Sequence, residues 1–366
     1  MTEERRRKHE AVADWLQRRR LDGVVLTRRC NFSWYTGGAH NHVAEASDTG
    51  VSSLVVTARD AAVVANNIEA TRLRGEDLPA DVPVIEYAYH DPQARRAALA
   101  EALGGGRFAA DAPIEGIDLA VTDGAFDQLR WVLTPAEIER YRAVCRDTAE
   151  AVEAAARRTT TGMTEAQIAG RLASELRGRG CVPWVLLVGA DERVTRHRHP
   201  LPTNLPARRC AMLVTTAERS GLLAAVTRLV HFGPVPADLA RRHQAVAAVD
   251  AALIGSTRPG ATLGEIFAAA QQAYADAGFG DEWRRHHQGG SIGYLPREVK
   301  AAPGSDVRAL AQQAFAWNPS IAGAKCEDTI LCTDAGVELL TATGDWPGIP
   351  GVWGAATLQR PDILVL

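Results

Sequence analysis

The stretch Gly162-Met163-Thr164-Glu165-Ala166-Gln167-Ile168 returns later in the chain as Gly260-Ala261-Thr262-Leu263-Gly264-Glu265-Ile266. Both copies read G-x-T-x-x-[EQ]-I. A glycine turn is followed by a threonine N-cap, and three residues on stands a glutamate or glutamine that can reach back to the cap's amide. This is the capping box that opens a helix. Two ordinary helix starts could share such a string, so the setting has to decide. Each copy follows a long alanine-rich helix and precedes a second helix and then strands, which points to a duplicated α/β unit. Two such halves would form one curved sheet with helices outside and a cleft at the pseudo-twofold axis.

Upstream, Thr134-Pro135-Ala136-Glu137 is another capping box, with proline at the first helical position. A long helix should start there and run to about Arg157, so the domain boundary is placed at residue 132. The first third reads as an α/β domain. Residues 5–20 are a charged amphipathic helix, and Gly23-Val24-Val25-Leu26 is a short buried strand. Ser52 to Thr57 and Ala61 to Ala65 are paired strands turning at Arg59-Asp60. Residues 92–103 form a helix stopped by Gly104-Gly105-Gly106.

With 366 residues, 46% of them hydrophobic, the chain is globular and too long for one ordinary core. A net charge of −3 gives no electrostatic footprint for nucleic acid or a membrane surface. No apolar run has the length of a membrane span, and the charged N-terminus has no apolar segment of a secretory signal behind it. The six cysteines (30, 145, 181, 210, 326 and 332) are scattered without CxxC spacing, which fits a reduced compartment. A cytoplasmic location is expected. Lysine occurs only at positions 8, 300 and 325, so nearly all positive charge is arginine, which is read as the mark of a GC-rich genome.

Several further strings occur in a telling order: Asn31-Phe32-Ser33-Trp34-Tyr35-Thr36-Gly37, His199-Pro200-Leu201-Pro202, Thr227-Arg228, Gly289-Gly290-Ser291-Ile292-Gly293, Trp317-Asn318-Pro319 and Glu327-Asp328-Thr329. In these the chain resembles the creatinase, aminopeptidase P and methionine aminopeptidase superfamily, the "pita-bread" fold. The resemblance implies an α/β (α+β) protein, with an N-terminal creatinase-type domain over 1–132 and a pseudo-twofold pita-bread catalytic domain over 133–366. The metallopeptidases of that superfamily hold two metal ions with two aspartates, one histidine and two glutamates. Transferred slot by slot, those ligands fall on Val214, Ala225, Gly290, Asn318 and Glu327. One carboxylate cannot hold a dinuclear centre, so the expectation is an enzyme with no metal and no cofactor. Creatinase shows that the fold can cleave a C–N bond without metal. Its catalytic histidine and carboxylate correspond to His199 and Glu327, while the histidine of its G-H string meets Gly290.

The residues themselves support a polar cavity. His199 is a candidate acid or base, since imidazole titrates near neutrality, or else a surface histidine of the run Arg196 to His199. Read as a strand, that run puts His197 and His199 on one face. Alternation also puts Lys325 and Glu327 on one face, with Cys326 turned away. Glu327 could then anchor a cationic nitrogen, act as a second base, or simply pair with Lys325 or an arginine. His286 and His287 are adjacent, so on a strand only one could face the site. His287 could return an imidazole to the vacant ligand slot, and Gly289 and Gly290 would let a ligand approach the backbone. Arg297 offers a planar fork for a carboxylate, or a pair for Glu298. Asn318 can donate and accept, or serve as a turn residue before proline. Tyr294 and Trp317 could line the cavity or belong to the core.

The reading is an enzyme with His199, Glu327 and His287 as catalytic residues. Arg297, Asn318, His286, Tyr294 and Trp317 would bind substrate. It would act on a C–N bond of a small anionic or zwitterionic substrate that is amino-acid-like, guanidino or amide, with no nucleic-acid or membrane partner. The resemblance also implies a homodimer in which Trp34, Tyr35, His40 and His42 approach the partner's cleft. Two alternatives stay open. One is a non-catalytic binding module. The other is an atypical metallo-aminopeptidase or Xaa-Pro peptidase using His199, His286 or His287 as replacement ligands.

Overall fold

The structure, a computed structural model, describes residues 1–366, the side chain of Ala356 excepted. The chain divides into two compact units, Met1–Arg130 with Thr134–Ala136, and Trp131–Leu133 with Glu137–Leu366.

In the first unit the helix Glu3–Arg19 leads into the strand Gly23–Arg28, which lies at the middle of a six-stranded mixed sheet. Thr49–Thr57 and Ala61–Asn66 form the expected antiparallel hairpin, with Val56 opposite Ala61. The helix Pro92–Leu103 ends at Gly104, whose φ of 57° is the left-handed stop that glycine permits. Val25, Val55, Val64, Leu99 and Ala110 form the core between helix and sheet. The string around Asn31 is a buried helix, Arg29–Thr36. Trp34 and Tyr35 are buried, Trp34 packing edge-on against Phe126. They are therefore interior residues of this unit.

The second unit shows the duplication in detail. Both capping boxes form: Thr164 with Gln167 opens Glu165–Gly178, and Thr262 with Glu265 opens Leu263–Asp276. The backbone around each is the same. Gly162 N–H donates to Ala207 and Ala207 N–H to Met163, at 2.7 and 2.8 Å; Gly260 donates to Ala309 and Ala309 to Ala261, both at 2.8 Å. Gly162 and Gly260 have φ of 90° and 86°, where a side chain would be strained.

The first copy continues into the antiparallel strands Val182–Ala190, Cys210–Arg219 and Leu222–His231. Leu364–Val365 pairs with the last of these in parallel. The second copy continues into Gly289–Ile292, Gln313–Trp317 and Asp328–Thr333, flanked by Val299–Lys300 and Gly336–Leu339 in one antiparallel five-stranded sheet. These are two sheets rather than the single curved one expected. They meet at one isolated bridge, Thr227 to Glu327, where Thr227 N–H donates to the Glu327 carbonyl at 3.1 Å. Helices Ala237–Ser256 and Leu263–Asp276 bury Val246, Leu253, Ile266 and Phe267 with Phe315, Trp317 and Ile330 of the five-stranded sheet in one core. Among the described residues no helix is long and apolar enough to cross a membrane.

Candidate active site

The seam between the two sheets is also where polar chemistry collects. Antiparallel pairing of Leu187 with Val214, Val214 with Thr227, and Thr216 with Ala225 puts these side chains on one face. That face meets Glu327 from the other sheet, because Thr227 Oγ1 donates to Glu327 Oε2 at 2.6 Å. A cavity of about 330 Å³ opens here, lined by Val185, Leu187 and Val214 on the apolar side and by His199, His287, Arg297, Asn318, Lys325 and Glu327 on the polar side. A cavity of similar volume in the first unit, about 340 Å³, has no imidazole, thiol or lysine in its lining.

Glu327 is buried among cations. Lys325 Nζ lies 2.8 Å from Oε2 and Arg297 Nη2 lies 3.3 Å from Oε1. Burial alone would raise its carboxyl, but Lys325 and Arg297 together overcome that and hold it down at about 2. Burial likewise pulls Lys325 below its ordinary range, Glu327 opposing. Lys325 and Glu327 share a face because they stand two apart in extended chain, while Cys326 points into the core. Arg297 pairs with Glu327 rather than with Glu298, and donates through Nη1 to the Pro296 carbonyl at 2.6 Å. Asn318 is buried, and its Oδ1 has no hydrogen-bond partner among the described residues.

Three imidazoles gather beside this carboxylate. His199 Nε2 and His286 Nε2 lie 3.1 Å apart, and the His287 ring centroid is 4.7 Å from that of His286 and 5.9 Å from that of His199. His199 is not on a strand. The helix Glu192–Arg196 and the bend after it carry it to the cavity mouth, leaving His197 exposed. The adjacent histidines are not on a strand either. The 3₁₀ turn Glu282–Arg285 ends at His286 in an extended conformation, and the strand begins only at Gly289. Strand alternation therefore does not apply, and both rings converge. Burial lowers all three below the ordinary imidazole range: His287 to about 4, His286 further, and His199 as well despite its exposed edge, with Lys325 or Arg297 adding to the effect.

Two expected lining residues lie elsewhere. The Tyr294 hydroxyl donates to Glu137 Oε1 at 2.7 Å in the interior. Trp317 is fully buried, donates to Thr257 Oγ1 at 3.0 Å and stacks on Phe315, because it alternates with Asn318 and faces the helices. Gly289 and Gly290 admit their neighbours rather than a ligand. A Cβ on Gly289 would stand 2.1 Å from the Ala316 carbonyl, and one on Gly290 2.0 Å from that of Val299. Residues that sequence reasoning did not place in the site are Lys325, Thr227 and Ser320. Only Lys325 carried a signal, as a rare lysine two residues before the carboxylate.

The dinuclear centre implied by the resemblance does not fit these residues. Val214 and Ala225 offer no donor, Asn318 is neutral, and the lone carboxylate is already occupied by two organic cations. At Gly290, φ is 151° and the space for a side chain is filled by backbone. Gly290→His is therefore expected to give an unfolded or insoluble chain rather than a restored ligand. Circular dichroism and the yield of soluble protein check this.

Comparison with known proteins agrees with the architecture. An uncharacterized peptidase of Staphylococcus saprophyticus is 22% identical over 228 residues, which cover 60% of this chain and 65% of that protein. The chain thus spans just under two thirds of the curated relatives it matches over that length. Among solved structures, the Xaa-Pro dipeptidase from Bacillus anthracis superposes with a TM-score of 0.79 at 17% identity, covering 99% of this chain and 100% of that one. The dipeptidase PepE from Mycobacterium ulcerans gives 0.77 at 21%, covering 99% and 98%. These likenesses show the pita-bread fold with its N-terminal domain. Residues 139–334, which contain both repeat copies and every residue of the cavity, match the model of metallopeptidase family M24, and the chain belongs to that family.

Proposed function

We propose that this protein is an atypical peptidase-type hydrolase that cleaves the C–N bond of a small amino-acid-derived substrate without the dinuclear centre of its family. The observation that carries this reading is the cavity itself. It sets two buried cations, Lys325 and Arg297, against one buried carboxylate, Glu327, and so retains a surplus positive charge beside three neutral imidazoles. A substrate carboxylate compensates that surplus, with Arg297 as its planar partner. Glu327 holds both cations in place. The unpartnered Asn318 Oδ1 accepts from an N–H of the scissile group, and the attacking water is activated at the histidine cluster. Family membership favours a peptide or amide bond over a guanidino one.

The test is a panel of dipeptides, N-acyl amino acids and guanidino acids, each paired with its analogue lacking the carboxylate. Turnover is expected for amides that carry the carboxylate and to fall sharply without it. Arg297→Lys should raise KM more than it lowers kcat. If no member of the panel is turned over while carboxylate ligands still bind, the protein is a binding module and the hydrolase reading fails.

A further inference from the structure

We infer that His199, His286 and His287 form a site for a single zinc-type transition-metal ion, distinct from the family's carboxylate centre. One ligand atom from each of the three lies within 4.8 Å of the others. Nitrogens bound about 2.0–2.1 Å from a tetrahedral ion stand about 3.3 Å apart, close to the 3.1 Å between His199 Nε2 and His286 Nε2. The outer contacts suit ligation. His286 Nδ1 lies 3.1 Å from Ser320 Oγ, so that with Nδ1–H donating, the Nε2 lone pair points to the cluster. His287 Nδ1 is buried and has no hydrogen-bond partner among the described residues, which leaves a ring nitrogen uncompensated in the interior. His199, the exposed member, leaves one side of the cluster open to the cavity, as a catalytic rather than a structural site requires.

The charges facing the cluster are Lys325, Arg297 and Glu327, with Arg198, itself paired with Glu282, acting on His286. Their surplus positive charge weakens affinity for a bare cation, but it favours an anion as fourth ligand, either hydroxide or the substrate's own oxygen. The role of the ion rests on the hydrolase reading; its binding does not. In that role, ion-bound water gives its proton to solvent at the open mouth beside His199 and the hydroxide adds to the acyl carbon. The C–N bond then breaks, and the amine leaves with a proton taken from water.

The experiment is titration of chelator-treated full-length protein with Zn²⁺ by calorimetry and with Co²⁺ by visible absorption. One ion per chain is expected, with the d–d bands of a low-coordinate cobalt site. Imidazole-only donors should prefer zinc to manganese. His199→Ala, a change at an exposed side chain, should weaken binding by at least about 100-fold, and Ser320→Ala by about 10–100-fold. Absence of saturable binding, preference for manganese, or binding unchanged in His199→Ala would each overturn the site. None of these would touch the hydrolase reading, which the substrate panel decides separately; the proton of the attacking water would then pass to an imidazole.

Discussion

Glu327→Gln will lower the unfolding free energy by about 3–5 kcal/mol, the usual cost of breaking a buried ion pair by removing one partner. The cause is specific. Lys325 and Arg297 are both buried against this one carboxylate, so glutamine preserves shape but leaves two cations without a counter-charge. Lys325→Met should cost less, because Glu327 keeps Arg297. The wild type adds a pH signature. The folded carboxyl of Glu327 is depressed to about 2, below its ordinary value near 4.5. A depressed acid contributes stability that is complete above the unfolded value and is lost as pH falls toward the folded one, so this contribution disappears between about pH 4.5 and 2. His287, neutral down to about 4, loses its share in a higher window, from about 6.5 to 4, because the unfolded chain takes up its proton first. Denaturant melts of wild type and Glu327→Gln across pH 2–7 check both. A variant as stable as wild type at pH 7 would show that the charges are not buried together.

His199→Asn will leave stability nearly unchanged and lower turnover by roughly 10²–10⁴-fold, the worth of a group that activates the attacking water. The separation is clean because His199 is exposed while its ring reaches the cluster, so truncation removes chemistry without opening a cavity. Steady-state kinetics with a thermal melt on the same preparation provide the check. Near-wild-type turnover would remove His199 from the mechanism and move the assignment to His287.

The parts of this protein that were legible in its sequence are those with a local physical cause. Capping boxes at Thr164 and Thr262 announce helices whatever surrounds them, and both form. Period-two alternation put Lys325 with Glu327 and turned Cys326 into the core, as the structure has it. The same rule failed at His286 and His287, because a 3₁₀ turn intervenes that no residue pattern announces. It failed at His197 and His199 because the segment after Asp191 turns helical instead of extending. Tyr294 and Trp317 could not be assigned to core or cavity until the sheet's facing was known. The crowding at Gly290 arises from the paired strand Val299–Lys300 and Ala301 after it, so it is a property of pairing rather than of the string.

That crowded glycine also bears on the protein's history. A return to the five-ligand pattern of the metallopeptidases would need donors at Val214, Ala225, Gly290 and Asn318, together with removal of Lys325 and Arg297 from Glu327. Taken singly, a histidine at Gly290 collides with backbone, and loss of either cation disturbs a buried charge balance. Those first steps back are therefore steps down in stability. The backbone at Gly290 acts as a ratchet: while Val299–Lys300 stays paired beside it, the histidine of the metallopeptidase pattern cannot be regained by one substitution.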